Sequence, residues 1–336
     1  MPIGTTGYGD VNPEVAGYLS KKMLMRSLEL MAFERFVTGE TLPEHETKTI
    51  RMRRFVGDWD MAVDNMYLTE GEVPVSQQLQ QEDVTLTLVQ MGGIVKITDV
   101  VHDTHTSKVL NEAFDVLSEQ APRIVETDRF FALRAITNKY FANGTARSAV
   151  NTPISVNLLK KAERNLQRNL ALPITKIAKT SPDFNTENIH PAYPTLTHID
   201  TQGDIEGLTG FVSVKDYPSS VKPYEGEIGS RGRLRFILTT MTTPYKNAGG
   251  AKGAMISTGG TSADVYPVFI FGQNAWDSVA LKGKFAIKPM VVSPDSIDHA
   301  NPMGQFGYAS WKTMQGTLIK NDEWCVLLEV AATELS

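Results

Sequence analysis

The chain is poor in cysteine, in net charge and in long apolar runs, and each shortage removes a class of protein. Cys325 is the single cysteine among 336 residues. No intrachain disulfide can form, and no zinc site of the multi-cysteine kind can be assembled. No stretch reaches the roughly 18 apolar residues that a membrane-crossing helix needs, so no membrane partner is expected. Basic and acidic side chains number 33 and 38, a formal charge of -5. A dedicated nucleic-acid binder is normally basic; the acidic balance is compatible with a protein that encloses DNA without sequence-specific binding. Met1 to Asn12 is rich in Gly and Thr and lacks the basic and apolar regions of a signal peptide.

Catalytic signatures are missing as well. No Gly-x-Ser-x-Gly elbow occurs, and Cys325 sits in a strand pattern, a poor setting for a nucleophile. The run Gly249 to Gly253 contains Lys252 but not the Gly-Lys-Ser/Thr order with which a phosphate loop cradles its ligand. Thr5 to Asp10 lacks the Val of a potassium-channel filter and reads as a mobile arm. His102, Asp103 and His105 form one local cluster, and His198, Asp200 and Asp204 another. Neither matches a zinc or EF-hand spacing, and helix capping or turn chemistry accounts for both more simply. Catalytic, cofactor and metal sites are therefore assigned to no residue. A soluble metal-dependent hydrolase built on His198 and Asp200 is the rival from a different class.

What is present is an ordinary globular composition, 41% hydrophobic and 21% charged, enough for a packed core. Leu24, Leu28 and Met31 give a helical stripe within an expected helix from about Val15 to Val37. Ile50 and Met52 alternate with Arg51 and Arg53 in a first strand; Val84, Leu86 and Leu88 alternate with Thr85, Thr87 and Val89 in a second. A third apolar segment, Ile94 to Val101, follows Gly92-Gly93, where a bulge or bend is expected. Gly57 to Gln81, between the first two strands, is too long for a tight hairpin and too apolar for an ordinary loop. Trp59, Met61, Met66 and Tyr67 are interleaved there with Asp58, Asp60, Asp64, Glu70 and Glu72. Such a segment either folds back on its own core or finds cover on another subunit.

Thr104 to Tyr140 reads as a long helix with Leu110, Ala113, Phe114, Leu117, Ile124 and Phe131 on one stripe, kinked or split by Pro122 near Gln120. A second helix is expected over Ser155 to Leu172, with Leu158, Leu159, Ala162, Leu166 and Leu170 inward, followed by a Pro-rich connection from Thr180 to Pro194. Strands are expected around Leu234 to Leu238, Val265 to Phe271 and Trp324 to Val330, with a flexible Gly-rich loop from Asn247 to Ser262. The fold class is α+β.

Several stretches carry a resemblance: Leu42-Pro43 leading into Ile50 to Phe55, Leu68 to Pro74, Val89 to Gly93 leading to Ile97-Thr98-Asp99, Tyr266-Pro267 to Phe271-Gly272, Gly307 to Lys312, and Trp324 to Thr333. In order and spacing they resemble the N-four-type major capsid proteins of tailed bacteriophages, and the element order resembles the Hong Kong 97-type capsid fold. One departure is His198-Ile199-Asp200, where that family is expected to carry Pro after the His. The resemblance implies an N-terminal arm and helix (1-41), an extended E-loop with flanking strands (42-101), a spine helix and peripheral domain (102-173), a mainly axial domain (174-290) and return strands of the peripheral domain (291-336). It also implies a shell of hexamers and pentamers around double-stranded DNA, located in the virion and assembled in the bacterial host cytoplasm, with portal and decoration proteins as partners. A separate scaffolding protein, or none, is expected to direct assembly. An encapsulin-like shell is the rival of the same fold. Interface anchors are expected at Trp59, Met61, Met66 and Tyr67 in the E-loop, because aromatics and Met dominate interface energy, and at Leu24, Leu28 and Met31 in the N-terminal arm.

Overall fold

The computed structural model describes residues 31–37, 40–42, 49–56, 67–68, 70–71, 73, 80–100, 109–176, 188–217, 224, 226–281, 287–292, 297 and 301–335. The expected helix from Val15 to Val37 therefore lies mostly outside the described residues. Its visible end is a single 3-10 turn, Phe33–Phe36. Strand β1 (Glu40–Leu42), β2 (Thr49–Val56), β3 (Gln80–Thr87) and β4 (Val89–Thr98) follow. Then come helix α1 (Val109–Leu133), β5 (Lys139–Phe141), α2 (Val156–Arg168), β6 (Ile174–Lys176), β7 (Asn188–His198), α3 (Gln202–Glu206) and β8 (Val212–Ser213). The chain closes with β9 (Glu227–Arg231), β10 (Leu234–Thr239), β11 (Tyr266–Phe271), β12 (Trp276–Leu281), β13 (Lys288–Val292), β14 (Phe306–Ile319) and β15 (Cys325–Val330). Among the described residues no helix is long and apolar enough to cross a membrane.

Two sheets carry the body. The eight-stranded sheet runs β5-β15-β11-β7-β10-β9-β8, with β6 also on β7. Its centre is covered on both faces, which is why β11 is a continuous apolar run and β15 an apolar run interrupted only by Glu329, whose buried carboxylate pairs with Arg147 at 2.6 Å. On one face Phe269, Phe271, Cys325 and Leu327 meet Phe33, Phe36, Phe130 and Leu133. On the other, Val268, Ile270, Val326 and Leu328 meet Leu158, Leu159, Ala162 and Leu166 of α2. Ser155 caps α2 by accepting from the Leu158 backbone N–H at 3.3 Å. The helix ends at Arg168, before Leu170 turns to a positive φ of 54°. Leu170 is thus exposed rather than on the buried stripe.

The five-stranded sheet runs β1-β12-β14-β13, with β4 on the other side of β14. Its longest member, β14, and the strand β7 are absent from the sequence reading. Pro191 and Pro194 lie inside β7, and their missing N–H groups disguised a central strand as a connection.

Helix α1 lies across this sheet, with Ala113, Phe114, Leu117, Ala121 and Val125 against Ile97, Ala309 and Trp311. Pro122 lies within it and does not split it; one backbone rung is lost, and the buried face on either side keeps its packing. The unbroken phase turns Ile124 and Phe131 outward, so both leave the expected stripe and are exposed. The helix is 25 residues, about 37 Å at 1.5 Å per residue, and 3-10-type bonds from Ala135 to Ala132 and from Ile136 to Leu133 close its end. It stops short of the expected Tyr140.

Gly92-Gly93 makes no bulge. The β4–β14 register runs unbroken from Thr98 opposite Phe306 to Val89 opposite Gln315, and the break between β3 and β4 falls at Leu88. The glycines provide clearance. A Cβ on Gly92 would stand 2.7 Å from the Trp311 carbonyl oxygen, and one on Gly93 would stand 2.7 Å from Trp311 Nε1 and 2.8 Å from Gln120 Oε1. The Gly-rich loop is likewise tied down rather than flexible. The Asp264 carboxylate accepts from the Asn247 N–H at 2.7 Å and the Thr258 N–H at 3.0 Å, and backbone bonds join Gly250 with Val150 and Ile256 with Ala332.

Replacing Gly93 with Val is expected to destabilise the chain by about 1–3 kcal/mol, because the added side chain overpacks against Trp311 and Gln120 of α1. Denaturant midpoints at unchanged slope measure it.

Candidate assembly surface

Strands β2 and β3 pair with each other, from Thr49 opposite Thr87 to Val56 opposite Gln80, and with no other strand among the described residues. The register sets Arg53 opposite Asp83 and Arg54 opposite Glu82. The ribbon is rooted at both ends in the five-stranded sheet, through β1 on β12 and β4 on β14. Leu86 and Leu88 pack at its base with Val279 and Met314.

Between the two strands, Tyr67 is 72% exposed, Leu68 78% and Val73 93%. A two-stranded ribbon with a long connection is marginal alone, and three large apolar side chains exposed together need cover from elsewhere. Of the expected anchors, Tyr67 is therefore at the surface. Trp59, Met61 and Met66 lie outside the described residues. More apolar surface is open on the body: Val116 and Phe131 on α1, and Ile94 on β4, are more than half exposed. Val116, Glu119, Gln120, Arg123, Ile124 and Thr127 line an open groove of about 460 Å³ along α1.

Of the expected N-terminal anchors, Leu24 and Leu28 lie outside the described residues, and Met31 is a correction. Met31 is buried in its own chain with Phe114, Leu117 and Trp311, so it is not available as a surface anchor. The segment that follows it is clamped by charge. Glu126 Oε2 accepts from the backbone N–H of Ala32 at 3.1 Å and of Phe33 at 2.8 Å. Arg129 Nη1 pairs with Glu126 at 2.8 Å, and Nη2 pairs with Glu34 and reaches Ser278 of β12 and Gln315 of β14. All three charged side chains are buried. Burial raises the Glu126 carboxyl above its ordinary value, against the lowering effects of Arg129 and of the Phe33 N–H. The sequence reading passed over this cluster. Its signal was Glu126 and Arg129, three apart on the apolar face of α1 between Val125 and Phe130.

The residues tested for chemistry have other duties. His198 Nδ1 accepts the Asp200 N–H at 3.2 Å, so the neutral ring carries its proton on Nε2. The Asp200 carboxylate, 3.1 Å from Nδ1, becomes an ion-pair partner only for a protonated ring, and burial lowers the His198 pKa. That carboxylate also accepts from the Tyr266 hydroxyl at 2.8 Å, while Asp204 accepts the Thr333 N–H at 2.9 Å. Among the described residues no group of three or more His, Cys, Asp or Glu is placed to hold a metal ion. Cys325 is fully buried, and burial pushes its thiol pKa up, away from thiolate chemistry.

No family model matches the chain. It is 21% identical over 252 residues to the major capsid protein of Pseudomonas phage KPP21, a match covering 70% of this chain; the chain spans 62% of that relative's length. Among solved structures, the capsid of Ralstonia phage GP4 superposes with a TM-score of 0.65 at 10% identity, over 91% of this chain and 89% of that one. The head of Helicobacter pylori bacteriophage KHP40 superposes at 0.59 and 12%, over 90% and 89%. The chain thus has a phage-capsid fold of mixed α+β content, with few helices and many strands.

Arg129→Met should cost about 3–5 kcal/mol, because two buried carboxylates lose their counter-ion; equilibrium denaturation measures it. Glu126 has a raised folded-state pKa, so its contribution to stability is fully present below the ordinary value of 4.5 and is lost as pH rises through the folded value. The stability of the wild type relative to Glu126→Gln should therefore fall as pH is raised above about 4.5. A constant difference across that range would contradict the assignment.

Proposed function

We propose that the chain is the major capsid protein of a tailed double-stranded-DNA phage, acting by self-association rather than by catalysis. The observation that carries the reading is the ribbon β2–β3: it is fixed at its root, paired with no third strand among the described residues, and apolar where Tyr67, Leu68 and Val73 stand exposed. Another copy of the chain is the cover it needs. The likeness in sequence to one phage major capsid protein and in fold to phage capsids supports the same reading.

In this account the ribbon is the E-loop of a Hong Kong 97-type subunit of the N-four type, and α1 is its spine helix. The eight-stranded sheet carries the axial domain, and the five-stranded sheet the peripheral one. Copies associate as hexamers and pentamers of an icosahedral shell, with portal, scaffolding and decoration proteins as partners. Each contact can be weak, because a closed shell sums many of them per chain. Apolar burial at roughly 25 cal/mol per Å² drives association, and opposed charges along the ribbon reject wrong registers. Trp59, Met61, Met66 and Tyr67 are the proposed anchors of the ribbon, and Leu24 and Leu28 those of the arm.

Negative-stain microscopy of the expressed chain, with and without its scaffold, should show closed shells or sheets; a monomer persisting at high concentration contradicts the proposal. Tyr67→Ser, Leu68→Ser and Val73→Ser together should leave thermal stability within about 0.5 kcal/mol, as exposed substitutions do, and abolish the shells.

A further inference from the structure

Helix α2 is amphipathic in an uneven way. Its inner face is Leu158, Leu159, Ala162 and Leu166; its outer face carries Lys160, Lys161, Arg164 and Arg168, all exposed. Lys160, Arg164 and Arg168 recur at a spacing of four, which puts them in one row. Among the described residues none of the four enters an ion pair. The one acid on the helix, Glu163, is half-buried and lies beside the β9–β10 turn, 3.5 Å from where a Cβ on Gly232 would stand. That turn brings exposed Arg233 to the flank of the row. The Lys161 ammonium stands 4.4 Å from the Tyr140 ring centroid.

This row belongs to a chain whose formal charge is -5. Solubility does not require like charges to be concentrated, since interspersed signs serve it as well. Unpaired cations aligned along a helix are the footprint of a polyanion. From Lys160 to Arg168 the row covers about 12 Å of axis at 1.5 Å per residue. Duplex DNA carries one charge per about 1.7 Å, so roughly seven phosphate charges lie within that span.

We infer that the outer face of α2 contacts the phosphate backbone of double-stranded DNA, without reading sequence, and so faces the inside of the shell. The inference rests on the shell reading for its orientation but not for the contact itself. A backbone contact made by a few cations per chain is weak alone and strongly salt-dependent. The enclosed genome would then be held along many copies and remain free to slide.

The test uses the full chain before assembly and a short random-sequence DNA duplex, with binding followed against salt concentration. Four cations give a slope of log K against log salt of about -3.6, from 0.9 per phosphate neutralised. Lys160→Gln, Arg164→Gln and Arg168→Gln together should reduce the slope's magnitude by about 2.7 while shells still form. A control removing Lys215, Lys246 and Lys288 in the same way should keep the wild-type slope. Equal loss in both triple variants, or no salt-dependent binding by the wild type, overturns the inference. So does an α2 variant that stops assembling while its slope is unchanged, which would make the row a subunit contact. A wild type that binds DNA as described but never forms shells sinks the capsid reading and leaves the α2 contact standing.

Discussion

Arg129 is where the separate parts of the subunit are held to one another. Its guanidinium binds carboxylates on two elements, Glu126 on its own helix and Glu34 on the N-terminal turn, and reaches the five-stranded sheet at Ser278 and Gln315. Glu126 in turn holds the backbone of Ala32 and Phe33. Phe33 is thereby seated edge-on against Phe269 of the eight-stranded sheet at 5.8 Å and Trp276 of the five-stranded sheet at 6.3 Å. A buried ion cluster is seldom a net source of stability, and its value lies in excluding other arrangements. Here it fixes how the helix, both sheets and the start of the chain meet.

That rigidity matters because the ribbon is an incomplete structure. An arm that must meet another molecule at a defined angle needs a root that does not move. β1 and β4 give it two, one on each side of the paired core β12–β14. The body can then supply direction while the exposed apolar residues supply attraction. Strain does not have to be stored anywhere for this to work. The chain leaves apolar surface uncovered, and in the proposed shell association would remove that surface from water.

Much of the fold was legible because local pattern and final environment agreed. Leu158 to Leu166 predicted α2 and its buried face, and Ile50 to Phe55 and Val84 to Val89 predicted the ribbon strands, the second of which ends at Thr87. The failures have physical causes. β7 was missed because Pro191 and Pro194 imitate a loop, although in the sheet only their own N–H positions are lost. Pro122 predicts a kink or a split, and the split does not occur because the helix face around it is buried on a sheet, and tertiary packing outweighs one missing rung. Gly92-Gly93 was read as a bend because sequence cannot distinguish a glycine needed for its φ from one needed for the space beside Trp311. The candidate surface was only half legible. The apolar content of the ribbon's connection was visible in the sequence, but the buried ion cluster of the body was not, since Glu34 and Arg129 are 95 residues apart in the chain.

The account's central claim is that the ribbon of one copy is covered by another. A photo-reactive phenylalanine analogue placed at position 67 tests it most directly. Irradiation of the assembled protein should give covalent multimers on a denaturing gel. Crosslinks confined to single chains under the same conditions would mean that the ribbon folds back on its own subunit, and the account would fail.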